Sequence, residues 1–195
     1  PAIEGNLFWS DQNSLVFKPA GNLAAGESYK VTVSLNKIFS DVPATIKSFV
    51  FNFQVLNQAY TPTSMSLRTY SNKDLRDYSI QGEIVSNDVA DMTDITSLVT
   101  ATQDGKKLRV SWRQSQNSLQ HYFVVDSVAR REKEGSVQLK WASLPGLEGQ
   151  PSNVEIPALG DFKVVGVSVL QNPDQKVLIN FSDPLQEEQN LAGLV

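Results

Sequence analysis

A single histidine, His121, bounds most of the covalent chemistry open to this chain. A Ser–His–Asp relay needs an imidazole to take the serine proton, so any such triad would have to use this one. His121 lies in Leu119-Gln120-His121-Tyr122-Phe123-Val124, a strand pattern, and no Gly-x-Ser-x-Gly elbow accompanies it. Ser111, Ser115, Ser118 and Ser127 read as ordinary strand or turn serines. His121 is accordingly read as a structural or surface residue. The absence of cysteine removes thiol nucleophiles, cysteine zinc sites, iron–sulfur clusters and disulfide staples. One histidine also leaves no histidine-rich metal site.

Two further patterns carry potential chemistry. Asp88, Asp91 and Asp94 recur every three residues, and oxygen-rich clusters of this kind can hold calcium. The spacing is not that of an EF-hand loop, so a solvated loop with a helix cap is the expected role. Trp9, Trp112 and Trp141, with Tyr70, Tyr78 and Tyr122, are the residues from which a sugar-stacking platform would be made. At strand positions with apolar alternation such rings are more often core. No Gly-rich phosphate loop is present and nothing singles out a pair of carboxylates for glycoside hydrolysis. The expectation is a chain that is not an enzyme, with no catalytic, cofactor-binding or metal-binding residue and no cofactor.

Charge and hydropathy limit the partners. The net charge is -4 and the pI about 5.0, so electrostatic attraction to nucleic acid is not expected. The longest basic cluster, Arg130-Arg131-Glu132-Lys133, is diluted by acids and reads as a solvated hairpin tip closed by Glu134-Gly135. No apolar run approaches the roughly 20 residues of a membrane span. Pro1-Ala2-Ile3-Glu4-Gly5 is not a signal peptide, which suggests numbering that starts inside a larger or processed product.

The elements that would position these residues are strands. Tyr29, Val31, Val33 and Leu35 alternate with polar residues, as do Phe49, Phe51, Phe53 and Val55, the period of a half-buried strand. Tyr29 and Phe51 are placed on inward faces, where truncation to Ala would cost about 3–5 kcal/mol. The Pro- and Gly-bearing stretch from Pro19 to Gly26 marks a crossover between Leu15-Val16-Phe17 and the Tyr29 strand. Asn57 to Ser64 reads as a linker. Six strands follow, at 65–68, 78–84, 108–112, 119–128, 137–141 and 154–156, punctuated by turns such as Asp104-Gly105, and these describe a sandwich. Ile95, Leu98 and Val99, behind a Thr93-Asp94 cap, predict one short turn of helix. Phe162 to Val169 and Lys176 to Phe181 open a further β unit. The fold class expected is all-β, immunoglobulin-like β-sandwiches in tandem with at most one short helix. The boundaries are 1–60 (part of a sandwich), 61–158 (a central sandwich) and 159–195 (the start of another).

Gly5-x3-Trp9, Leu15-Val16-Phe17-Lys18-Pro19, Leu23-x2-Gly26-x2-Tyr29-x-Val31 and Phe49-Val50-Phe51 resemble the second half of the bacterial Ig-like repeat of surface-layer proteins and of bacterial alpha-2-macroglobulins. Val177-Leu178-Ile179-Asn180-Phe181-Ser182-Asp183-Pro184-Leu185, with Asn190-Leu191-Ala192-Gly193-Leu194, is similar to the first half of the same repeat, most of all in its alpha-2-macroglobulin version. The stretch between, from Tyr70 to Phe162, is compatible with the sandwich that separates such repeats. The resemblance implies a non-catalytic structural or interaction segment of a protease-trapping protein of the bacterial periplasm or outer envelope, often lipid-anchored. Its partners would be neighbouring domains of the same protein and, through that protein, proteases. The family's thioester motif is not in these residues. An adhesin or surface-layer module, with glycan binding as one role open to it, and an accessory sandwich of a hydrolase are the alternatives. If the ends are halves of one kind of repeat, the strands of 160–195 are expected to share a core or sheet with the Tyr29 and Phe49 strands.

Overall fold

The computed structural model describes residues 2–38, 41–43, 45–70, 74–116, 118–170, 174–186, 190 and 192–193. It is all-β, with one helical turn and one short 3-10 segment. Leu191 and Leu194 of the C-terminal motif lie outside the described residues. The chain divides into two compact units, residues 1–58 with 87–89, and residues 59–86 with 90–195.

The first unit is two antiparallel hairpins. β1 (Gly5–Trp9) pairs with β2 (Leu15–Pro19), and β3 (Ser28–Ser34) with β4 (Ser48–Gln54). The Leu-x-x-Gly-x-x-Tyr step forms a corner: Gly26 has φ +77°, and the Tyr29 hydroxyl accepts a hydrogen bond from Ala24 N at 2.9 Å. A positive φ is open to glycine at little cost, which is why the chain turns here. Alternation sorts the side chains of β3 and β4 as the sequence predicts, so that Tyr29 opposes Phe53, Val31 opposes Phe51 and Val33 opposes Phe49. Tyr29 stacks on Phe53 with centroids 5.5 Å apart. The face they form is only half-buried on the β3 side, where Tyr29, Val31 and Val33 are partly covered, and is open on the β4 side. Phe51 is 41% exposed, and no described residue of this unit is fully buried. The alternation determines which residues share a face, while burial requires a second layer.

The second unit contains a two-layer sandwich. One sheet runs β5 (Tyr60–Thr69), β6 (Asp77–Ser86), β10 (Gln120–Ala129), β9 (Val110–Gln114); the other runs β12 (Asn153–Ile156), β11 (Gly135–Trp141), β7 (Val99–Gln103), β8 (Lys106–Leu108). β5 begins at Tyr60, inside the stretch whose composition reads as a linker. The single helical turn, α1 (Met92–Ile95), is capped by Asp91, not Thr93, and Val99 belongs to β7. The sandwich thus has eight strands where alternation alone suggests six. β7 is missed because its VTATQ sequence follows the helical spacing, and β8 and β9 are separated only at Arg109. Asp104 and Gly105 both take positive φ, as expected of the β7–β8 turn.

Ile80, Ile84, Phe123 and Val125 from one sheet meet Val99, Ala101, Val137 and Leu139 from the other, all buried. Phe123 is placed by its cross-strand neighbour. A Cβ on Gly82 would collide with the Phe123 ring, so this position must lack one. Ser127, with φ +59°, sits in the bulge where the register of β10 on β6 shifts.

The last pair, β13 (Val164–Leu170) and β14 (Lys176–Phe181), forms a hairpin of the second unit. β13 runs alongside β5, the free edge of its sheet, with no ladder pairing between them. Of the expectation that the strands of both ends share a core or a sheet, the shared sheet is not found: among the described residues β13 pairs only with β14 and β3 only with β4.

Phe123→Ala is expected to lower stability by about 3–5 kcal/mol and Gly82→Ala by about 1–3 kcal/mol through overpacking. Phe51→Ala, on a half-open face, should cost on the order of 1 kcal/mol, well under the value anticipated from its alternation. Denaturant titration of the three variants checks the ranking.

Candidate functional site

Electrostatics is concentrated around Arg130. Its backbone N–H donates to Arg76 O at 2.7 Å, which fixes the residue at the end of β10. Its side chain is fully buried, the residue being 2% exposed, so the basic cluster is not a solvated tip at this position. Arg131, Glu132 and Lys133 are exposed, and Arg131 forms a surface pair with Asp104 at 2.7 Å. Within one cluster, then, one arginine turns in and its neighbours turn out. The alternation along the end of β10 decides which, since Val128 and Arg130 point to the interior and Ala129 and Arg131 do not.

A buried guanidinium must have its five donors met. Nε donates to Pro157 O and Ala158 O, both at 3.1 Å, and Nη2 to Ala158 O at 2.7 Å and Asp161 O at 3.0 Å. The two terminal nitrogens grip the Asp183 carboxylate as a fork, Nη1–Oδ1 at 2.8 Å and Nη2–Oδ2 at 3.0 Å. The guanidinium lies over the Tyr78 ring, 5.3 Å from its centroid, and the Tyr78 hydroxyl donates to Ser182 O. Ser182 Oγ accepts from Lys163 N at 2.8 Å and sits 2.6 Å from Asp183 Oδ2. The hydrogen bond from Arg130 holds the Asp183 carboxyl below the usual carboxylate range, and Asp183 in turn raises Arg130. Burial raises the Tyr78 phenol. This arrangement binds charge firmly, with no donor left for a ligand.

His121 is the second concentration. It is completely buried, and its Nε2 lies 2.9 Å from Ser86 Oγ. Nδ1 has no partner, so no acid orients the ring as a relay would need. None of the serines named from the sequence is its partner. Ser111 Oγ lies within hydrogen-bond distance of both Val124 O and Asp126 Oδ2, and Ser115 Oγ accepts from Gln120 N. Ser86 was not legible as the partner because it lies on β6, placed beside β10 only by the sheet. Burial lowers the His121 pKa and keeps the ring neutral.

The aspartates are not gathered. Asp88 accepts from Val89 N, Asp91 caps α1 without a side-chain bond, and among the described residues no group of three or more metal-ligating side chains is assembled. The aromatic residues divide. Trp112 and Trp141 flank Phe123 at 5.4 and 6.1 Å and pack on the core, with Trp141 Nε1 donating to Pro151 O. Tyr78 is core, while Trp9 and Tyr70 are exposed. Tyr122 is the ring left on the outer face of its sheet, with Arg113 stacked 4.8 Å above it, in an open groove of about 1060 Å³ bounded by Gln81, Glu83 and Val167. No described helix is long and apolar enough to cross a membrane.

Comparison of the chain with protein-family models, with curated proteins and with solved structures finds no match.

Removal of one member of the buried pair leaves the other charge uncompensated, so Arg130→Ala is expected to cost about 3–5 kcal/mol. Asp183 is depressed in the folded state, so its contribution is present above the ordinary carboxylate value of 3.8 and is lost only as pH falls through the lower folded value. His121 acts at higher pH. The unfolded ring takes a proton below about 6.5 while the buried ring does not, so stability should fall as pH drops below that value. Unfolding free energies between pH 8 and pH 4 for the parent and for His121→Gln test this, and the variant should lose the component that begins near pH 6.5.

Proposed function

We propose that this chain is a non-catalytic structural and interaction segment of a bacterial alpha-2-macroglobulin-like protease-trapping protein of the periplasm or outer cell envelope. One observation carries the interaction part of this reading. The hairpins β3–β4 and β13–β14 each present a face of apolar residues to solvent, with Phe49, Phe51 and Phe53 on the first and Val167, Val169 and Val177 on the second among the exposed ones. A lone two-stranded sheet is marginal in water, and a row of exposed large apolar side chains on one face is what a contact surface has. In the proposed setting these faces dock neighbouring β units of the same protein. The family assignment itself rests on the motifs at both ends. In this reading the buried His121–Ser86 pair and the saturated Arg130 cluster serve the fold, and the chain has no reaction of its own.

The test uses the full-length protein that carries this segment. Incubated with an endoprotease, it should retain the protease in a complex that still cleaves a small chromogenic peptide but no longer cleaves a large protein substrate. A protease equally active on both substrates after incubation would overturn the trap.

A second reading has its own observation, the Tyr122–Arg113 pair in an open groove that Gln81 and Glu83 also line. Aromatic rings beside polar side chains suit sugar recognition, which is the adhesin alternative. Glycan-array binding abolished by Tyr122→Ala would favour it, and an array without signal would remove it.

A further inference from the structure

The open groove that holds Tyr122 runs over the outer face of the β5–β6–β10–β9 sheet, walled on one side by Ser168 and Leu178 of the β13–β14 hairpin. Ladder register fixes what its floor presents. Arg113 on β9, Tyr122 on β10, Glu83 on β6 and Ser64 on β5 form one row across the four strands, and Gln81 stands in the next row. Arg68 lies further along β5, and its alternation with buried Leu67 puts it on the same outer face.

The charge of this groove runs against that of the chain. Its charged lining is Arg68, Arg113 and Glu83, a net +1 on a chain of net charge -4. Among the described residues neither arginine has an ion pair or a side-chain hydrogen bond, and the Glu83 carboxylate and Gln81 amide have none either. Asp126, further along β10, is engaged by the Tyr70 hydroxyl at 2.5 Å and by Ser111 Oγ at 3.2 Å. Arg113 is held by the Tyr122 ring alone, its guanidinium carbon 4.8 Å from the centroid, which fixes the plane and leaves the N–H donors unspent. Since Arg113 covers that ring, Tyr122 is a positioning residue and not itself a stacking platform.

These groups select a ligand. An unspent guanidinium fits a carboxylate through two parallel hydrogen bonds. Glu83 accepts only, so whatever lies beside it must bring donors, and a polymer of carboxylates alone would be repelled there. Three strand spacings of ~4.8 Å and four residues of ~3.3 Å separate Arg113 from Arg68, which sets their Cα atoms roughly 20 Å apart. One small anion cannot bridge that span, whereas a chain that repeats its acid can. We propose that the groove binds an acidic polysaccharide, a run of uronic acid units whose carboxylates meet Arg113 and Arg68 and whose hydroxyls meet Glu83 and Gln81. The proposal rests on the second, sugar-binding reading above and names its ligand class.

Calorimetric titration of this chain at low salt tests it, with oligogalacturonates of graded length and with the same oligomers after reduction of their carboxyl groups to alcohols. The acidic oligomers should bind at least tenfold more tightly than the reduced ones. Arg113→Gln should weaken them tenfold or more at every length. Arg68→Gln should weaken only oligomers long enough to reach both arginines, a dependence that general surface charge would not produce. Equal affinity for acidic and reduced oligomers would leave sugar recognition standing and overturn the acidic class. Failure of both sets to bind would overturn the proposal, and a silent glycan array would remove the sugar reading as well. Polyglutamate bound as tightly as oligogalacturonate would assign the groove to an acidic polypeptide instead. Binding indifferent to Arg113→Gln would show that the groove is not the site.

Discussion

The second unit depends on one desolvated cation. Arg130 is held where water cannot reach it, so every N–H it carries must find an oxygen, and the chain satisfies that demand by bringing the carbonyls of 157–161 and the Asp183 carboxylate to the same place. A hydrophobic contact tolerates several arrangements of its neighbours, whereas a guanidinium fork does not. The places of the 157–161 turn and of Ser182-Asp183 therefore follow from the requirements of a single side chain. Such a pair is a weak source of net stability, because desolvation offsets most of the attraction, but it fixes geometry strongly.

Around that point the packing is unequal. The sandwich between its two four-stranded sheets is dense, with Ile80, Ile84, Val125 and Val137 wholly buried and Phe123 lodged over the bare backbone of Gly82. The β13–β14 hairpin and the first unit show the opposite, apolar faces sorted correctly by alternation but left in solvent. The hydrophobic effect supplies the same drive per area in both places. The difference lies in whether a second layer is present to receive the face, and this is why the interaction reading attaches to these hairpins and not to the sandwich.

The two titratable groups nearest to chemistry, His121 and Arg130, show how burial without a complete relay turns reactive residue types into structural ones. His121 has a serine at hydrogen-bond distance and no carboxylate behind it, and desolvation holds it neutral. Arg130 has its carboxylate and spends every donor on the protein.

The sequence by itself determined the period of two along the strands, hence an all-β chain, the composition of each sheet face, the turns at Asp104-Gly105 and the corner from Leu23 to Tyr29. These are local: they follow from side-chain alternation and from backbone angles that few residues adopt. It also excluded thiol chemistry and left one imidazole. Alternation could not show that Phe51 lies on an open face, because burial belongs to the layer opposite and not to the strand. It could not separate β8 from β9, or detach Val99 from a helical pattern, since both depend on pairing with strands distant in sequence. The inward turn of Arg130 was the least legible feature of all. Its cluster reads as a solvated tip, and only the meeting of β10, the 157–161 turn and Asp183 in space makes burial of that charge affordable, because a buried cation is tolerated only where partners from elsewhere in the chain converge on it.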